Sequence, residues 1–257
     1  MQTFSPRKVP PDSWRGWLRE ALGLATRRAV FGTAVTLGVL APFWSGSSWL
    51  KVLGLPPLTG ALLGVMCVLA HCTDRRLAFW ASLHDSVPGV LRLAGLSLGV
   101  MVAAAAILLP YYWLNTWLGG PLIDEHAVRV SGPIIGEARF VAGEIATFWL
   151  GGLLVAIPFL IFFAPLLVCA RLPAGAAARL AIDGLVMNRH VIWLNAAAML
   201  LGYGLSRLHG LSCIVLFPVT GALSYVAYRH VYEGAAPRRE EAALATHTVA
   251  LPEPPAA

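Results

Sequence analysis

The sequence predicts an all-α fold, a polytopic helical membrane protein with about six transmembrane helices plus two interfacial amphipathic helices. Three observations carry that expectation. Of 257 residues, 58% are hydrophobic and only 12% charged, against about 45–50% and about 25% in soluble globular chains. Several apolar runs approach the ~20 residues that cross a hydrocarbon core. Arginines gather at alternate connections between those runs, as the positive-inside bias requires.

Residues 1–28 form the N-terminal region, and Asp12–Arg28 within it reads as a helix lying flat on the inner leaflet. Asp12 or Ser13 is placed to cap it. Trp14, Trp17, Leu18, Ala21 and Ala25 recur on one side. Trp14, Trp17, Arg15 and Arg19 are the expected lipid-surface anchors. The opening MQTFSPRKVPPDSWRGW lacks the apolar core and cleavage site of a signal peptide, so the first span is the expected targeting signal.

The spanning region is expected over 29–232, with spans at Ala29–Trp49, Leu58–Ala70, Val87–Leu109, Ile145–Cys169, Val191–Ser206 and Leu211–Tyr228. The second and fifth are short enough to be re-entrant. Arg7, Lys8, Arg15, Arg19, Arg27 and Arg28 precede the first span. Arg75, Arg76 and Arg92 lie between the second and third, Arg171, Arg179 and Arg189 between the fourth and fifth, and Arg229, Arg238 and Arg239 after the last. The other connections mix Lys51, Arg129, Arg139 and Arg207 with Asp124, Glu125, Glu137 and Glu144. This asymmetry predicts a multi-pass protein of the bacterial inner membrane with both termini cytoplasmic.

Two connections carry candidate contacts. In the outer loop 114–144, Trp117 reads as a membrane-face aromatic, and Asp124, Glu125 and His126 as partner contacts or hard-cation ligands; three adjacent side chains do not all point at one centre, and a solvated acidic loop is the favoured reading. At the cytoplasmic elbow 171–190, Pro165 bends the preceding helix and Pro173 opens a second interfacial helix over Ala174–Met187. Arg179 and Asp183 are i,i+4 partners there, and Asn188, Arg189 and His190 lead into the next span at headgroup depth.

Metal chemistry has one constellation. In MCVLAHC, Cys67 and His71 lie one turn apart, and Cys72 or a methionine would complete a soft site for Cu(I) or Zn(II). An interfacial histidine among packed cysteines is the favoured reading of the same residues. All four cysteines sit in or beside apolar runs, which does not resemble a disulfide framework. Gly60/Gly64 and Gly95/Gly99 have the spacing that lets helices approach closely. The Ala/Pro/Glu-rich tail 233–257 reads as a flexible cytoplasmic segment. No metalloprotease His pair, phosphate-binding glycine loop or serine elbow is present, and no cofactor is identified.

APLLVCARLPAGAAARLAIDGLVMNRHVIWL followed by LSCIVLFPVTGALSYVAYRHVY resembles an uncharacterised family of bacterial multi-span inner-membrane proteins. The features that carry the resemblance are Ala164-Pro165, the Ala-rich elbow at Ala176–Asp183, Asn188, Pro218 and a closing Tyr-x-x-Tyr-Arg over Tyr225–Arg229. It implies the architecture and no activity. The expected role is a non-catalytic accessory, assembly or scaffold subunit of a larger membrane complex, with a small-solute or metal-ion transporter as the alternative. The expected partners are membrane lipids and other membrane proteins, or further copies of the chain, and not nucleic acid: the net charge of +6 sits mostly at the ends of apolar runs.

Overall fold

A computed structural model describes residues 5–44, 48–117, 159–194, 197 and 212–234. Among these, every regular element is helical: α1 (Ser13–Arg27), α2 (Ala29–Trp44), α3 (Ser48–Arg75), α4 (Phe79–Trp117), α5 (Phe159–Val168), α6 (Ala174–Met187) and α7 (Ser212–Tyr228), with a further helical run at 189–194. A π-helical turn, Arg229–Glu233, extends α7 and ends at Gly234, whose φ of 66° is left-handed.

The centre is α3, which packs along α4 on one side and α7 on the other, while α1 lies across α7. Leu62, Met66, Val68, Phe162, Leu166, Leu167, Tyr225 and Val226 fill the space between them. Small residues let the backbones meet. A Cβ on Gly60 would strike the Leu93 carbonyl of α4, one on Gly221 would strike Met66, and one on Gly89 would lie 2.6 Å from the Leu167 carbonyl oxygen. Ser86 reinforces the last approach, its hydroxyl lying 2.8 Å from the Val168 carbonyl oxygen.

At the C-terminal end of α6 both the backbone amide and the side-chain Nδ2 of Asn188 bond the Gly184 carbonyl, each at 3.1 Å, whereas neither α1 nor α6 has a side-chain cap at its start. Asp12 occupies the N-cap of α1 without bonding it, contrary to the capping expected from the sequence. At the end of α3, Arg76 takes a left-handed φ of 56° and the Leu77 amide returns to the Cys72 carbonyl at 3.0 Å. That is a Schellman-type closure, made by a residue less suited to it than glycine.

The six-span polytopic architecture is corrected by this arrangement. Among the described residues, only Pro56–Arg75 and Phe79–Ala103 are long and apolar enough to cross a membrane. The apolar parts of α2 and α5, Ala29–Gly38 and Phe159–Val168, are too short by that measure. The physical reason is that apolar residues are turned onto one another: α5 is buried from Leu160 to Val168, and α7 from Gly221 to Tyr228. The multi-pass inner-membrane placement with both termini cytoplasmic falls with it, because the charge argument alternated over six spans. The parts of the expected spans over 145–158 and, apart from residue 197, over 195–206, together with nearly all of the outer loop, lie outside the described residues.

Candidate functional site: a polar seam at one end of the bundle

At the end where α1, α3 and α7 meet, charged side chains are held inside the protein. Arg229, on the first residue of the π-helical turn, is buried with 6% of its side chain exposed. Its Nη1 donates to Asp74 Oδ2 on α3 at 2.8 Å, and its Nη2 donates to Glu20 on α1. The Asp74 side chain is 7% exposed, and its Oδ2 also accepts from the Tyr225 hydroxyl at 2.9 Å. Across the turn, His230 Nε2 lies 3.0 Å from Glu20 Oε2, and the His230 ring lies 5.9 Å from that of Trp17. At the outer edge, Arg75 Nη2 donates to Glu233 Oε2.

Charge accounts for why these groups stay together. A buried guanidinium is tolerable only with partners that satisfy it, and two carboxylates supply them from different helices. Burial works against ionisation of Glu20, but the bond to His230 and the charge of Arg229 outweigh it and hold the carboxyl below its ordinary 4.5. Burial likewise opposes the charge on Arg229, and the hydrogen bond to Asp74 and the charge of Glu20 outweigh that too, raising its pKa. The cluster joins α1, α3 and α7 by ion pairs that face one another.

A second set of bonds fastens the N-terminal segment and α6 to the same end. Asn188 is buried just beyond α6; its Oδ1 accepts from the Val9 amide at 2.8 Å, and its Nδ2 lies 2.9 Å from the Arg7 carbonyl oxygen. The Arg7 amide reaches the Val231 carbonyl at 2.8 Å. Tyr232 donates its hydroxyl to the Leu180 carbonyl at 2.6 Å, so α6 and the extended segment before α1 both clasp the π-helical turn.

The sequence-predicted residues fall in several places. Cys67 and Cys72 are fully buried, and His71 is half-buried, stacked edge-on against Tyr225 at 5.3 Å between centroids. Among the described residues no group of three His, Cys, Asp or Glu side chains is positioned to hold a metal ion. Trp17 is 1% exposed and packs inside the protein, a placement unlike the lipid anchor expected of it. Trp14 is half-buried under Arg15, whose guanidinium lies 5.4 Å from the ring centroid, and Arg19 is exposed. Arg179 and Asp183 are both exposed and form no ion pair with each other, while Arg189 and His190 are exposed beyond Asn188. Trp117 is the last residue of α4, and Asp124, Glu125 and His126 lie outside the described residues.

Sequence reasoning missed Glu20 and Asp74. Their signal was an acid set among arginines beside an apolar run, a setting in which a carboxylate is seldom buried unless paired. In the sequence Arg229 reads only as a cation after the last apolar run and as the end of the Tyr-x-x-Tyr-Arg run that begins at Tyr225. No known family, curated sequence or solved structure matches the chain.

Proposed function

We propose that the protein is a non-catalytic accessory, assembly or scaffold subunit of a larger membrane complex. The observation that supports this reading is the outward side of α4. Trp80, Val87, Leu91, Leu98, Val102 and Leu109 are all exposed there, from 38% at Leu98 to 70% at Trp80. Their alternating steps of seven and four residues keep them within about 60° of arc at 100° per residue, so they form one apolar ridge, interrupted near its start by the exposed His84.

Gly95 and Gly99 flank that ridge, and a Cβ added at either would meet nothing within 4 Å. A ridge beside small residues offers another helix close backbone approach. An exposed apolar surface of this extent on a helix fixed from behind is the kind that binds a partner. The polar seam fits the same reading, because its charges are engaged with each other rather than with a substrate. No observation among the described residues favours the transporter alternative.

The test is extraction from native membranes in several mild detergents, with identification of co-purifying proteins and the mass of the intact particle. Stoichiometric recovery in a defined complex is expected. A bare monomer in every detergent contradicts the proposal.

A further inference from the structure

The outward sides of α1 and α6 share a chemistry that neither the seam nor the α4 ridge uses. On α1, Trp17, Ala21 and Leu24 face inward, while Arg15, Arg19 and Leu22 are exposed. On α6, Ala177, Ala181 and Gly184 face inward, while Arg179, Ile182 and Val186 are exposed, Val186 at 68%. Each helix thus presents arginine and large apolar side chains on its free side.

The two helices belong to one end of the molecule. Glu20 of α1 bonds Arg229 and His230, and the Leu180 carbonyl of α6 accepts from Tyr232, so both grip the same turn. The acids of that end are already occupied: Glu20 and Asp74 by Arg229, and Glu233 by Arg75. Among the described residues, Arg15, Arg19, Arg179 and Arg189 form no ion pair, and they outnumber the exposed acids nearby, Asp12 and Asp183. A hollow of about 490 Å³ opens on α6, lined by Gly175, Ala176, Leu180 and Arg179.

We propose that the free sides of α1 and α6, with Arg189 just beyond α6, form one docking surface for an anionic lipid bilayer, with Arg15, Arg19, Arg179 and Arg189 meeting headgroup phosphates and Leu22, Ile182 and Val186 entering the acyl boundary. Charge complementarity selects this occupant. Exposed arginine interleaved with apolar side chains matches a surface whose charge lies just outside a hydrocarbon layer. The inference stands apart from the α4 ridge and from the subunit reading.

The experiment takes the full chain in mild detergent with an equimolar mixture of phosphatidylglycerol and phosphatidylcholine, and counts each retained lipid by native mass spectrometry. Basic side chains near such a surface each favour anionic lipid, so the wild-type chain should retain phosphatidylglycerol over phosphatidylcholine by at least about tenfold. Replacing Arg15, Arg19, Arg179 and Arg189 together by Gln should bring the ratio close to one. Replacing all four by Lys, which keeps the charge, should preserve it. Circular dichroism monitors folding of each variant, and all four positions are exposed. A wild-type ratio near one overturns the proposal. So does a preference that survives the Gln substitutions, or one that the Lys substitutions abolish.

Discussion

The polar seam and the outward ridge of α4 lie on helices that pack against each other, yet they are satisfied in opposite ways. In the seam, Arg229, Asp74, Glu20 and Tyr225 find partners within the chain, and little of Arg229 or Asp74 reaches the surface. On the ridge, Trp80, Leu91 and Val102 stand more than half exposed with their apolar surface uncovered. The same contrast separates two glycine pairs of equal spacing. Gly60 and Gly64 press α3 against α4, whereas Gly95 and Gly99 face open space. One region uses its chemistry to hold the fold together, and the other keeps its chemistry available.

The largest effect should come from breaking the seam. Arg229→Ala leaves Asp74 buried without its guanidinium, and loss of one partner of a buried pair costs about 3–5 kcal/mol. Thermal unfolding in detergent should show a large drop in midpoint. A drop no greater than that of a surface substitution would mean that the pair does not hold α3 to α7. Next comes the close approach of α4 to α5: Gly89→Ala forces a methyl against the Leu167 carbonyl, and overpacking of this kind costs about 1–3 kcal/mol. The matching Gly95→Ala, in open space inside α4, should be neutral to stabilising, by up to about 1 kcal/mol. Equal effects at the two glycines would erase the contrast.

Smaller still is Tyr225→Phe, which removes one hydrogen bond to Asp74 and should cost about 1 kcal/mol by the same unfolding assay. Acid provides a gentler probe of the seam. Because the folded carboxyl of Glu20 sits below its ordinary 4.5, its contribution is complete above that value and lost as pH falls through the lowered one. The stability difference between wild type and Glu20→Gln should therefore be present at neutral pH and shrink as pH falls below about 4.5. A difference already vanishing near neutrality would deny Glu20 its place in the cluster.

Helical periodicity made α1 and α6 legible, because an amphipathic repeat and a proline start depend on neighbours a few residues away. The count of spans was not legible. Long apolar segments read alike whether they face lipid or another helix, and α5 and α7 bury theirs in the shared core. Trp17 shows the same ambiguity on one residue: its position on the apolar side of α1 was clear, but an apolar side serves a core as well as a bilayer. The seam was hidden because Glu20, Asp74 and Arg229 are far apart in sequence and meet only in three dimensions. Asn188 was visible as an elbow residue, while its grip on Val9 and Arg7 reaches back 179 and 181 residues in sequence.

The most direct measurement of the central contrast is the intact-particle mass of a Leu91→Gln/Val102→Gln chain purified beside wild type from native membranes, with the unfolding midpoint of each. Wild type should emerge within a defined complex. The double variant should unfold at nearly the same temperature, since both positions are exposed, and should emerge without the partner. Retention of the complex at full stoichiometry by a stable double variant would contradict the account, because the α4 ridge would then be uncovered for no partner at all.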